Sequence, residues 1–323
     1  MWRREQKQMS LADGMVRRRK GQNERLERIC ELLDWEPIEQ LLSGVYAANE
    51  GRPAYRPLVM LRALMLQQWY SLSDPELEEA LVDRLSFRHF VGLSLEEEVP
   101  DHSTLSRYRK QLVKRQLSVR VFEEINRQLD QRGLMVKRGV LIDATLVSAA
   151  VAKPSLKHAA GASSELDPDA DWTMRGAKSH FGYKAHVAVD EDSQLIRKFE
   201  LTSAKVAESE VGDQLISGDE WIVYADKGYD SQARRELLAR LGIGDGIARR
   251  AWWGTAKHPA PELVARNRRL SKARSAVERT FAVMKRWYGY CRVRYRGLER
   301  NQLQLALLCV AINLRRALTL CAA

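Results

Sequence analysis

The sequence predicts an α/β protein, a mixed five-stranded sheet flanked by helices and preceded by an all-helical region. Three observations carry this expectation. From about residue 26 to 132 the segments have the apolar spacing of helices. At Gly133 the texture changes, and β-branched apolar runs begin to alternate with helical ones in the order β, β, β, α, β, α, β, α. With 323 residues, 45% of them hydrophobic and 29% charged, the chain has ample length and composition for a buried core.

Taken in order, residues 1–25 are polar and basic, contain the run Arg17-Arg18-Arg19-Lys20, and read as an arm. Residues 24–42 place Leu26, Ile29, Leu32 and Leu33 at helical spacing, and the stretch Asn49-Glu50-Gly51-Arg52-Pro53 breaks the pattern. Residues 56–70 read as a strong helix with Pro57 in its first turn. Ser73-Asp74-Pro75 opens another through Arg84, with Ser73 or Asp74 as N-cap. After Pro100, residues 101–109 read as a capped helix carrying Arg107, Arg109 and Lys110, and a further helix covers about 118–131. These last helices can be read as a helix-turn-helix or as members of a plain bundle.

The second half opens with the strand 140–147, which is apolar and β-branched with Asp143 in its middle. A loop of about thirty residues follows. Within it, Asp167-Pro168-Asp169-Ala170-Asp171 mimics a calcium loop, but Trp172 and Lys178 stand where that loop needs Gly and Glu. Residues 183–189 alternate as a strand, with 195–201 as hairpin partner. A helix fits 206–216, a buried strand 221–226 ends on Asp226, and a helix covers 231–241. A short strand 243–248 leads through a loop containing Trp252 and Trp253 to a long basic helix, 266–289. The expected organisation is therefore an arm (1–25), a helical domain (26–132), an α/β domain (133–298) and a C-terminal packing helix (299–323).

The formal net charge is +11 and is unevenly spread. Residues 249–300 hold 15 Lys/Arg against 3 Asp/Glu, residues 1–28 hold 9 against 4, and the remainder is mildly acidic. Two basic regions on an acidic scaffold point to a polyanion surface rather than an ordinary solvated face. The four cysteines lack CxxC spacing, which argues against a zinc site or a disulfide framework and for a reducing, cytoplasmic setting. No signal peptide is visible, and the apolar stretch 303–314 is too short and too polar to span a bilayer, so no membrane partner is expected.

The chemistry lies in three acids. Asp143 and Asp226 sit on or at the end of apolar strands, where a carboxylate is costly unless a cation or hydrogen bonds compensate it. On the basic helix, Arg274, Glu278 and Lys285 fall within roughly 40° of one another, beside an apolar stripe of Val277, Phe281, Met284 and Tyr288. Arg279 and Arg286 flank the polar stripe, and Arg268, Arg269 and Lys272 lie further up the helix. Alone, Glu278 is either a salt-bridge partner or a metal ligand. If the strands are neighbours, three hard oxygen donors converge and suit Mg2+ or Mn2+ beside nucleic-acid phosphates.

The element order and these acids resemble the RNase H-like core of DDE transposases. Arg274-x3-Glu278-x6-Lys285 resembles the tail of the Tyr-x2-Arg-x3-Glu-x6-Lys signature of the insertion-sequence four and five families, with Ser271 at the tyrosine position. Asp143 in Ile-Asp-Ala-Thr and Asp226 in Ala-Asp-Lys-Gly-Tyr resemble the first two acids of the triad. Residues 180–186, His-Phe-Gly-Tyr-Lys-Ala-His, resemble a block of the insertion-sequence-five family, and residues 55–109 its helical N-terminal domain.

That resemblance implies Asp143, Asp226 and Glu278 as catalytic, metal-binding acids for two Mg2+ ions, with Mn2+ able to substitute. Arg274 and Lys285 would grip phosphates near the scissile bond, with Ser271, Arg268, Arg269, Lys272, Arg279 and Arg286 as further DNA contacts. Arg107, Arg109 and the arm would help recognise terminal inverted repeats, and a homodimer or higher oligomer would hold paired ends. Trp252 and Trp253 either stack on a frayed base or cap the helix. Lys184 and His186 share a strand face, with Lys184 a further expected DNA contact and His186 open either to DNA or to internal hydrogen bonding. Lys227 pairs with Asp226 or with phosphate. The expected function is DNA transposition, namely cleavage at insertion-sequence ends and 3′-hydroxyl strand transfer. The alternatives are an RNase H-like nuclease without strand transfer and a non-catalytic, transposase-derived DNA-binding protein.

Overall fold

The computed structural model describes residues 24–46, 54–152, 166–250 and 260–322, and for Lys272, Arg274 and Ser275 the backbone alone. The chain divides into two units, one comprising the residues up to Arg132 together with those from Ala306, the other Gly133–Leu305.

The first unit is helical. The stretch expected as one helix over 24–42 is two, α1 (Glu24–Leu32) and α2 (Trp35–Leu42), because the Asp34 side chain accepts the Glu36 N–H and starts a new helix. α3 (Pro57–Tyr70) is buried over most of its surface, from Leu58 through Leu66, so it forms the centre of the unit. α4 (Asp74–Asp83) opens with a capping box, Ser73 Oγ accepting from Glu76 N and Glu76 Oε2 accepting from Ser73 N. α5 (Leu85–Val91), not anticipated, follows directly and stops at Gly92. α6 (His102–Lys114), capped by Asp101, and α7 (Leu117–Gln131) are joined by Arg115 and Gln116, the latter at φ +51°.

The second unit is built on a mixed sheet of six strands. These are β1 (Gly139–Ser148), β2 (Asp171–Arg175), β3 (Lys178–Asp190), β4 (Ile196–Ser203), β5 (Ile222–Ala225) and β6 (Gly244–Ile247). Their order is β2-β3-β1-β5-β6, with β4 also on β3. β1 is antiparallel to β3 and parallel to β5, and β5 is parallel to β6. One strand, β2, exceeds the expected five. It lies in the polar stretch read as loop, and β3 starts earlier than its apolar alternation indicates because Lys178–Gly182 pairs with it. The segment 206–216 is one turn of α-helix, α8 (Glu208–Val211), and a 3-10 turn, Gly212–Leu215. Another 3-10 turn, Lys227–Tyr229, precedes α9 (Gln232–Arg240). The basic helix is α10 (Pro261–Trp287), longer at its start than expected.

The Asp167–Asp171 run is tied into the protein rather than gathered into an ion loop. Asp167 accepts from Tyr183 Oη at 2.6 Å and from Gly297 N at 3.1 Å, Asp169 accepts from Leu298 N at 2.8 Å, and Asp171 pairs with Lys205. The last helix, α11 (Leu298–Leu320), extends the expected apolar stretch to 23 residues. By length and composition it could cross a membrane, yet 78% of its apolar window is buried inside the protein. From Ala306 onward this packing helix belongs to the first unit, where Trp69 Nε1 donates to Ala311 O and Asn313 Nδ2 donates to Asn126 Oδ1.

Candidate active site

β1 and β5 run parallel in register through Leu141↔Tyr224 and Ile142↔Ala225. The next residue on each strand is an acid, Asp143 and Asp226. Neighbouring strands lie about 4.8 Å apart, so this register carries two half-buried carboxylates side by side at the strand ends. Asp143 Oδ1 accepts the Ala144 N–H at 2.8 Å, and Asp226 Oδ1 accepts the Gly228 N–H at 2.6 Å as cap of the following turn.

Alternation along β1 separates the two faces. Val140 and Ile142 join a buried cluster with Val211, Leu215, Val223, Tyr229 and Leu238. Leu141, Asp143 and Thr145 point the other way. α10 packs against both β1 and β5, burying Ala276, Val277, Thr280, Phe281 and Met284. Glu278 is exposed, about 100° round the helix from Val277. Among the described residues, no three of His, Cys, Asp and Glu gather closely enough to hold a metal ion. The convergence of three carboxylates expected from the sequence therefore does not appear. Register joins Asp143 and Asp226, while Glu278 faces solvent on the helix that packs over both strands.

The strand pair nevertheless has the donor chemistry of a hard-cation site, two carboxylates in a partly desolvated setting. Its charge is felt at Tyr229, whose phenol is pushed far up, first by burial and then by the negative charges of Glu208, Asp143 and Asp226. A divalent cation would offset that concentration of charge.

Residues 135–314, more than half of the chain, match the family model described as Transposase DDE domain, and residues 15–111 match that described as Transposase domain (DUF772). The chain belongs to the DDE transposase family. It is of the insertion-sequence four/five-like type, and its activity is metal-dependent phosphoryl transfer on DNA. Two solved structures also align, titled "Crystal structure of the Mos1 Strand Transfer Complex" and "Crystal structure of a pre-cleavage Mos1 transpososome". Each is 12% identical, with TM-scores of 0.20 and 0.19. The first alignment covers 88% of this chain and 84% of that one, the second 95% and 90%. TM-scores this low do not bear on the fold.

Several polar and cationic side chains of this transposase are open to solvent. Ser271, Arg268, Arg269, Arg279 and Arg286 are exposed along α10. Lys285 is half-buried, and its ammonium is pushed down by burial, with Arg175 at the β2–β3 hairpin adding repulsion. The Lys272 and Arg274 side chains, and Trp252 and Trp253, lie outside the described residues. Arg107 is exposed and donates to Ser103 and Thr104 in its own helix.

Two expected DNA contacts are corrected. Arg109 is buried and bound by both its terminal nitrogens to Asp74, so it ties α6 to the start of α4. Lys184 turns onto the protein, donating to Val206 O at 2.8 Å, with Glu208 Oε1 at 3.9 Å. Lys227 is exposed, and no ion pair joins it to Asp226 among the described residues.

His186 is wholly buried, its Nδ1 3.3 Å from Tyr229 Oη and its Nε2 3.1 Å from Thr202 Oγ1. Burial, and then Lys184, lowers its pKa to about 3. Between that value and the ordinary 6.5, the unfolded chain binds a proton that the folded chain refuses. Stability present above about pH 6.5 is therefore lost as pH falls, at roughly 1 kcal/mol per unit for this group. Urea denaturation from pH 7 to 5 should show this slope, and His186→Gln should flatten it. An unchanged slope would assign the acid sensitivity elsewhere.

The sequence offered no sign of Glu208 or Arg175. Glu208 reads there as an ordinary first-turn acid, and Arg175 lies in what reads as loop. Only the packing of α8 on the turn after Asp226, and the β2–β3 hairpin, bring them near Asp226 and Lys285.

Proposed function

We propose that this chain is the transposase of an insertion-sequence-five-type element, cleaving DNA at the element's terminal inverted repeats and joining the freed 3′-hydroxyl to target DNA. The observation that carries the reading is the in-register pair Asp143 and Asp226 within the domain matching the DDE family. Asp143, Asp226 and Glu278 would hold two Mg2+ ions, with Mn2+ as substitute. Bound there, the ions supply activation of a water or 3′-hydroxyl and stabilisation of the leaving oxygen. The chain's own part is to bind and orient. Arg274 and Lys285 hold phosphates beside the scissile bond, the exposed arginines of α10 hold the flanking duplex, and the half-buried strand ends limit water. Ser271 donates to phosphate where the family tyrosine would also stack. The helical unit and basic arm recognise the repeats, and two copies act on paired ends in the cytoplasm.

The test is a strand-transfer assay using a pre-cleaved end oligonucleotide, a supercoiled plasmid and Mg2+. Joined product is expected. Hydrolysis without joining would replace the reading with a nuclease, and binding without either reaction would replace it with a DNA-binding derivative. In the same system Lys285→Ala should weaken end binding and reduce the slope of log K against log salt by about 1, as for one lost phosphate contact. An unchanged slope would remove Lys285 from the DNA interface.

A further inference from the structure

We infer that Glu208 acts through Asp226, raising its hold on a divalent cation by placing a second negative charge beside the turn that carries it, with Lys184 setting how strongly it does so. The inference rests on the transposase reading of Asp226.

Glu208 opens α8, a single turn that packs on the 3-10 turn Lys227–Tyr229 directly after Asp226. The contact centres on Gly228. A methyl group on its α-carbon would lie 2.3 Å from Glu208 Oε2 and 2.8 Å from Asp226 Oδ1. The two carboxylates thus border one methyl-sized space, and a side chain at 228 would displace one or both. Asp226 Oδ1 already accepts the Gly228 N–H, which fixes its rotation. Glu208 then presses negative charge against the same turn.

Two consequences follow from the charges. A carboxylate held near a second carboxylate favours any cation that can serve both, and a divalent ion gains twice what a monovalent one does. Lys184 opposes this. Its ammonium is 3.9 Å from Glu208 Oε1, is anchored by Val206 O, and sits on a strand whose position is fixed by β1 and β4. Glu208 and Lys184 therefore push the ion affinity of Asp226 in opposite directions. A purely structural role for the cluster would not have that signature, since breaking it from either end would loosen the same turn.

The experiment is Mn2+ binding to the full-length chain without DNA, followed by the electron paramagnetic resonance of free Mn2+, so that it does not depend on turnover. Glu208→Gln preserves size and hydrogen bonding and should weaken Mn2+ binding about five- to tenfold, as expected for one charge removed a few ångströms from the ion at the surface. Glu208→Asp should recover part of the loss. Lys184→Gln keeps a donor for Val206 O and should tighten binding severalfold. Unchanged binding in Glu208→Gln, or Lys184→Gln shifting the same way as Glu208→Gln, would overturn the inference. If Glu208→Gln does not fold, Lys184→Gln decides, because weaker or unchanged binding there overturns the idea equally. Asp226→Asn is the separate control. If it leaves Mn2+ binding intact, the acid assignment itself fails, and the role of Glu208 with it.

Discussion

Glu278→Gln should lower Mg2+-dependent end cleavage by on the order of 10^3-fold or more while leaving end-DNA binding close to the parent protein, because several kcal/mol of transition-state stabilisation depend on one anionic ligand. Glutamine keeps the shape and the exposed position on α10 but removes the charge that a hard cation requires. The same substitution at the strand pair, Asp226→Asn, should match it in cleavage. The two differ before DNA is added. Asp226 neighbours Asp143 in the free protein and Glu278 does not, so Asp226→Asn should abolish Mn2+ binding to the chain alone while Glu278→Gln should only weaken it. Cleavage retained by Glu278→Gln would end the assignment of this helix position to the reaction.

Gly182→Ala should cost about 3 kcal/mol or more in urea denaturation, and thereby remove activity by unfolding the core. Gly182 has φ +153° where β3 meets the end of β1, opposite Ser148. A methyl group there would lie 2.2 Å from Val147 O and 2.6 Å from Ala149 N, backbone atoms of a paired strand that cannot swing aside. Gly176→Ala is the informative comparison. Its φ of +60° is also unfavourable for alanine, but nothing lies within 4 Å of the added carbon, so the cost should be about 1 kcal/mol. Equal losses at both positions would mean that conformational strain, not the clash between strands, sets the effect.

Much of the fold could be read directly from the residues, because burial and backbone chemistry are written locally. The capping box at Ser73 and Glu76, the proline opening α3 and the β-branched run of β1 announce themselves over a few residues. What could not be read depends on partners far along the chain. β2 carries Asp, Trp, Thr, Met and Arg without strand-like periodicity and becomes a strand because β3 offers it an edge. Arg109 looks like any cation on a helix, and only Asp74 beside it shows that it is structural. The same holds for Lys184, whose alternation marks its strand face but not the Val206 carbonyl and Glu208 that it meets there. The two strand acids were visible because a carboxylate in an apolar strand is conspicuous. The orientation of Glu278 depends on helix rotation, where one residue changes the direction by about 100°.

The parallel pairing of β1 with β5 also governs when the chain acquires its chemistry. Antiparallel β3 and β4 join through a short turn and can form early, but β5 reaches β1 only after the whole intervening meander and α8 have been laid down. Contacts between such distant segments carry a large loop-closure entropy and form slowly. A nascent or truncated polypeptide ending before Ile222 can therefore hold strands β1 to β4 without the carboxylates of Asp143 and Asp226 side by side. The side-by-side placement of the two acids is thus a late event in the life of the chain, set by topology rather than by any single residue.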